Sequence, residues 1–252
     1  DNPLRLQPPK QPTPGLFCDY ESDEDDIRRQ LRAFAEGMGL GLVPLFYRRC
    51  VHPIADDIEA LQNHIEATKA QYIIVDSMSL AAGGDLNKMD MATAYFRTLR
   101  QLKITSISMA HTSKDRVSKA KTIMGSVLFE AGARSVWEAR GQGDENTLNI
   151  ALFHRKANLS QKFKPLGFQI TYGETGNSIK WHDPRSVPEF VERMGAQARI
   201  LDLLKSGAIS PVEIVESLDI SRNNVDVSLK RLKDKGKITK IGQKWGLLSL
   251  EV

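Results

Sequence analysis

Residues 71–80 read QYIIVDSMSL: four apolar residues, three of them β-branched, run straight into Asp76 and Ser77. The absence of alternation marks a strand buried on both faces, as in a parallel sheet. An aspartate placed directly after such a run is costly unless a metal or a hydroxyl satisfies it, although the same residue would also suit a capped turn. Outward from this stretch, apolar runs alternate with helical patterns. Upstream lie a strand over residues 16–20 (LFCDY), a helix from about 25 to 36, a strand over 42–48, and residues 54–70 with Ile54, Ile58, Leu61 and Ile65 at helical spacing. Downstream, the spacing predicts a helix over 89–102, a strand over 104–110 and a helix over about 123–132. This alternation predicts an α/β domain whose parallel sheet is covered by helices on both faces. Residues 2–15 hold five prolines and read as an extended leader. The glycines of Gly37-Met38-Gly39-Leu40-Gly41 follow a helix and are expected to end it.

Further along, residues 135–140, 147–155, 167–172 and 178–181 are short alternating runs divided by Gly, Asn and Asp. They predict a hairpin-rich edge that continues the same sheet. Two prolines within residues 183–188 suggest a linker, so the chain divides into residues 1–182, a linker over 183–195, and a separate domain over 196–252. In that last part an amphipathic helix over 198–205 precedes a second over about 212–217 capped by Ser210. A third reaches about residue 233 with Val225, Leu229 and Leu232 inward, and residues 237–248 make two short strands with a turn at Gly242. Three helices and a hairpin resemble a winged helix (α+β), with Trp245 as its hydrophobic anchor. From Ser221 to Lys244 there are eight basic and two acidic residues, an excess larger than the +4 of the whole chain. Arg222, Asn223 and Asn224 at the start of the third helix suit base edges, and Lys240 and Lys244 on the wing suit phosphates. A winged helix used for protein contacts is the alternative.

The 252 residues are 41% hydrophobic and 26% charged, which excludes collagenous, low-complexity and wholly disordered chains. No window approaches the ~18 apolar residues of a membrane span, so a soluble, cytoplasmic protein without membrane association is expected. Two cysteines, Cys18 and Cys50, give neither a disulfide framework nor zinc spacing. The five histidines are scattered, and no Gly-x-Ser-x-Gly elbow supports a hydrolase triad.

Ligands of parallel sheets gather at the carboxyl ends of the strands. There the sequence places Asp19 and Glu21, then Asp76 and Ser77, then His111, Thr112 and Lys114. In order, GLFCDYES, QYIIVDSMSL, SISMAHTSKD and NIALFHRKANLS resemble the successive core strands of RecA-like ATPases, closest to hexameric helicases of the RepA and DnaB type. The resemblance covers about residues 10–182. It implies an ATP- and Mg2+-dependent enzyme in which Glu21 polarises the attacking water and Asp76 is the magnesium-associated acid, with Ser77 beside it at the nucleotide. It further implies that His111 senses the γ-phosphate and that Lys156, with Arg155, acts on a neighbouring subunit's nucleotide in a ring such as a hexamer. These residue types suit phosphoryl transfer, which needs a positioned water, a metal and positive charge on the transition state. The loop TSKDRVSKAKT, with Lys114, Arg116, Lys119 and Lys121, falls where the family touches DNA, although an ordinary solvated loop reads the same way.

One departure is large. The sequence has no G-x-x-x-x-G-K-[ST], whose lysine and backbone cradle hold the β- and γ-phosphates. The chain is therefore expected to be the downstream part of a longer ATPase, inactive alone, and the intact acids favour that view. The competing reading is a DNA-binding regulator whose RecA-like domain binds no nucleotide and serves oligomerisation. A nucleotide-binding loader or repair mediator without unwinding activity is a further alternative.

Overall fold

A computed structural model describes residues 2–112, 123, 127–192 and 194–248. Residues 2–14 are not extended throughout, as a turn closed by the Arg5 N–H to the Asn2 carbonyl (3.1 Å) opens them, and they lead into β1 (Gly15–Asp19), whose Leu16 and Cys18 are fully buried. α1 (Glu24–Gly37) starts where the Asp23 side chain accepts the Asp26 N–H, and Glu24, Asp25 and Asp26 place negative charge at the positive helix end. The glycine-rich stretch does end this helix: Gly39 adopts φ 61°, a left-handed conformation that glycine reaches without strain. β2 (Leu45–Arg49), α2 (Ile58–Thr68), β3 (Tyr72–Asp76), α3 (Met78–Ala82), α4 (Met89–Leu102), β4 (Thr105–Ser108) and α5 (Val127–Gly132) follow.

The four strands form a parallel sheet in the order β2-β1-β3-β4, an α/β architecture. Its register sets Asp19 beside Asp76, so two carboxylates leave adjacent strands at the same level. Backbone bonds from Met109 N–H to the Val75 carbonyl and from Met78 N–H to the Met109 carbonyl bring the end of β4 to the same edge. Beneath lies a core of Leu16, Ile54, Leu61, Ile73, Val75 and Tyr95, with Phe129 of α5 packed edge-on against Tyr95.

The expectation that the later strands extend this sheet is corrected. β5 (Ser135–Gly143), β6 (Thr147–Ala157), β7 (Leu166–Thr171) and β8 (Ser178–Trp181) form a four-stranded sheet of their own, in sequence order. Alternation fixes which face of a strand is apolar but not which strand it joins. β4 is short, and among the described residues its neighbour is β3 alone, with Ile107 half exposed.

The contacts of the chain divide it into two compact units. One comprises Asp1–Val136, Arg155–Lys162 and Thr171–Ile179; the other comprises Trp137–His154, Phe163–Ile170 and Lys180–Val252. In the second unit residues 183–195 are more than a spacer. They form a short 3-10 turn and α6 (Pro188–Val191), and bury Val187, Phe190 and Met194 against Ala151 and Phe153 of β6. α7 (Ala196–Leu203), α8 (Pro211–Leu218), α9 (Arg222–Asp234), β9 (Ile238–Ile241) and β10 (Lys244–Leu247) complete the chain. Ser210 and Glu213 close a reciprocal capping box at the start of α8. Val225, Leu229 and Leu232 point inward as the spacing predicts, meeting Ile200, Ile214 and Ile238. The antiparallel hairpin turns at Gly242, which has φ 61°. Trp245 packs on this core and exchanges both backbone hydrogen bonds with Ile209, at 2.9 and 2.8 Å.

Candidate functional site

The site is organised by a residue to which the sequence reading gave no role. Asp19 ends β1 and is buried. Its Oδ1 accepts the N–H groups of Glu21 (3.0 Å) and Ser22 (2.8 Å), and its Oδ2 accepts the Tyr47 hydroxyl (2.9 Å). An aspartate followed two and three residues on by the groups it caps is an Asx turn, the local signal that marks it. The turn presents Glu21 above the sheet edge. Burial and the bond to Asp19 push the Tyr47 phenol up to about 12, so it remains a donor.

Glu21, Ser77 and His111, expected at three strand ends, meet at one oxygen. The Ser77 hydroxyl donates to Glu21 Oε1 at 2.5 Å, and His111 Nε2 lies 3.2 Å from the same atom. Because Ser77 gives its proton to the carboxylate, Ser79, 2.8 Å away, donates to Ser77. Glu21 Oε2 makes no hydrogen bond among the described residues, and the side chain is about one-third exposed. The result is a carboxylate anchored on one side and open on the other. The Ser77 bond, and then His111, hold Glu21 below the usual carboxylate range.

Asp76 behaves oppositely. It is half buried, has no side-chain hydrogen bond among the described residues, and is pushed up by burial and by the charges of Glu21 and Asp19. A carboxylate in that position gains from a nearby cation. Among the described residues no three His, Cys, Asp or Glu side chains form a metal cage. Asp76 therefore fits Mg2+ held largely through water and phosphate, the mode that ion favours.

Replacing Ser77 by alanine should raise the Glu21 pKa toward its ordinary value. Glu21 stabilises the fold above that ordinary value, and the contribution is lost as pH falls through the lowered one. In Ser77→Ala the loss should be smaller and complete at higher pH. An NMR titration of the Glu21 carboxyl checks this, and an unmoved midpoint would refute the anchoring bond.

Lys156 meets the end of a helix within its own chain. Its ammonium donates to the carbonyls of Glu130, Ala131 and Ala133 at 2.7–2.8 Å, closing the C-terminal end of α5. The adjacent Arg155 is exposed. Lys114, Arg116, Lys119 and Lys121 lie outside the described residues. In the tail, Arg222 pairs with Asp226 on its own helix (3.0 Å), and the Asn224 N–H is spent on the Ser221 cap. Asn223 and Lys240 are exposed, and Lys244 is exposed with Glu213 4.0 Å away. No helix among the described residues is long and apolar enough to cross a membrane.

Residues 2–117 match the family model of the AAA domain, a segment that contains β1–β4 and the three site strands. That match supports a RecA-like ATPase core in this part of the chain. Among solved structures, the chain is similar to a KaiC-like protein from the hyperthermophilic archaeon Pyrococcus horikoshii OT3. The identity is 17%, the TM-score is 0.45, and the alignment covers 66% of this chain and 75% of that one. No curated protein matches.

Proposed function

We propose that this chain is part of an ATP-dependent, DNA-associated motor of the RepA helicase type, acting in replication or repair. The observation that carries the reading is the convergence of Glu21, Ser77 and His111 on one oxygen beside Asp76, at the carboxyl edge of a parallel sheet. When bound, Mg-ATP supplies a phosphoryl group whose transfer needs a polarised water and charge stabilisation. Glu21 is ionised and oriented, and its open Oε2 accepts a proton from water on the solvent side. His111 reports occupancy of the neighbouring phosphate position by competing for Glu21 Oε1. Asp76 and Ser77 face the metal and nucleotide. No G-x-x-x-x-G-K-[ST] stands among these 252 residues, and the motor reading takes its phosphate cradle from further sequence of the same protein. Assembly into a ring would bring a neighbour's cation to the phosphates. The residues proposed for that role are Lys156, with Arg155.

The three helices and hairpin of residues 196–248 are proposed as a DNA-binding winged helix. Its support is the exposed positive charge along α9 and the hairpin. Replacing both Lys240 and Lys244 with alanine in the whole chain should weaken duplex binding equally for all sequences. It should also flatten the dependence of log affinity on log salt by up to about two units. Replacing Asn223 should instead reduce discrimination between sequences. Binding titrations over a salt series decide. A salt slope identical to that of the unaltered chain would favour the other use of such a module, protein docking, and with it the regulator reading.

A further inference from the structure

Phe163 lies in residues 158–165 (NLSQKFKP), between β6 and β7, with 62% of its surface exposed. One exposed phenylalanine is ordinary. What lies beneath this one is not. Its ring sits 5.5 Å from His154 and 6.0 Å from Trp137, tilted by only 17° and 20°, and those two rings stack at 4.2 Å and 3°. His154 is buried, and its Nδ1 accepts the backbone N–H of Phe163 at 3.0 Å. Backbone and ring are thus both fixed, so a ligand meeting this ring pays little to order it.

The charge beside the ring in sequence has one sign. Lys162 and Lys164 flank Phe163 in sequence, both are exposed, and neither forms an ion pair among the described residues. Residues 158–165 contain no carboxylate. An exposed aromatic ring with a lysine on either side of it in sequence suits an unpaired nucleobase and the phosphates of its strand. A duplex cannot use it, because its bases are already stacked on one another.

We infer that Phe163, backed by His154 and Trp137, is a base-stacking site for single-stranded nucleic acid. The site uses none of the residues at the acidic strand ends or in the three-helix tail, and does not depend on the function proposed for either. Lys162 and Lys164 contribute sequence-independent phosphate contact, and the ring contributes the requirement for a base.

The test uses the whole chain and a fluorescently labelled short oligothymidylate, with binding read by anisotropy. Phe163→Ala should weaken binding by about 5- to 150-fold, the range for loss of one stacked base. Its melting temperature should stay unchanged, because the ring is mostly in water. Phe163→Tyr should bind within about twofold of the unaltered chain. Tryptophan fluorescence should fall on binding, and Trp137→Phe should remove that component of the signal. An oligomer of the same length lacking bases should bind weakly, and equally to the unaltered and Phe163→Ala chains. An oligouridylate arm separates DNA from RNA, and binding to either at Phe163 supports the site. Duplex affinity should be unaffected by Phe163→Ala, while Lys240→Ala with Lys244→Ala should leave the Phe163 dependence intact. Failure of this inference is therefore distinguishable from failure of the winged-helix proposal. Oligothymidylate binding that is insensitive to Phe163→Ala, or matched by the base-free oligomer, would overturn the inference and leave the stack as an anchor for its own loop.

Discussion

Glu21→Gln, placed in a protein that joins these 252 residues to a phosphate-binding loop, is expected to slow ATP hydrolysis by about 100- to 10,000-fold. Nucleotide affinity should remain close to that of the parent. Glutamine keeps the length and shape of the side chain, and its carbonyl oxygen still accepts the Ser77 hydroxyl that anchors Glu21 Oε1 at 2.5 Å. What it lacks is the negative charge and basicity at Oε2, the atom left open toward solvent. Steady-state turnover and equilibrium binding of a fluorescent nucleotide separate the two effects. If affinity falls as much as turnover, Glu21 supports the site rather than acting in it. Asp76→Asn gives an informative contrast: its loss should depend on magnesium concentration, whereas that of Glu21→Gln should not.

Asp57→Ala is expected to destabilise the N-terminal unit by about 2–4 kcal/mol. Arg48 on β2 and Asp57 before α2 form a two-pronged pair at 2.6 and 3.0 Å, each only 14% exposed. Removing the carboxylate leaves a guanidinium in a pocket it shares with the buried Cys50. Although Asp57 also precedes a helix, its side chain makes no capping bond there, so the loss measures the ion pair. Replacing both partners by apolar residues, Arg48→Met with Asp57→Leu, should recover much of the stability, because the larger penalty is for the uncompensated charge. Denaturant unfolding of the single and double variants checks both statements. A loss below about 1 kcal/mol for Asp57→Ala would place the pair among surface bridges of little consequence.

The parallel sheet was legible because its evidence is local. The β-branched run before Asp76 and the period of residues 89–102, found as a helix at those same bounds, each depend on a few neighbouring side chains. The strand ends were legible for the same reason, since polar residues directly after apolar runs mark the edge where Glu21, Ser77 and His111 meet. What the sequence hid were partners set by long-range geometry. Nothing near Lys156 in sequence points to the carbonyls it meets at the end of α5. Asp19 reads as the last residue of a strand, and its grip on Tyr47, 28 positions away, exists only once β1 and β2 are paired. The Phe163 stack joins three residues from separate strands and loops that no periodicity links. The separate second sheet belongs with these, because pairing between strands is a choice of neighbour and leaves no trace in alternation.

The buried side chains of residues 183–195 determine how far the three-helix tail can reach. A flexible tether of thirteen residues would let it wander over roughly 20 Å, by the square-root growth of coil dimensions. Val187, Phe190 and Met194 are instead lodged against β6, and Ala198 of α7 leans on the same small core. The start of the tail is thus seated against β6 and not strung on a loose line. Under the DNA-binding proposal, a molecule grasped by α9 and its hairpin would meet a tail whose first helix is moored to β6 rather than trailing from it. Less conformational entropy would then remain to be lost on capture than for a coil of the same length.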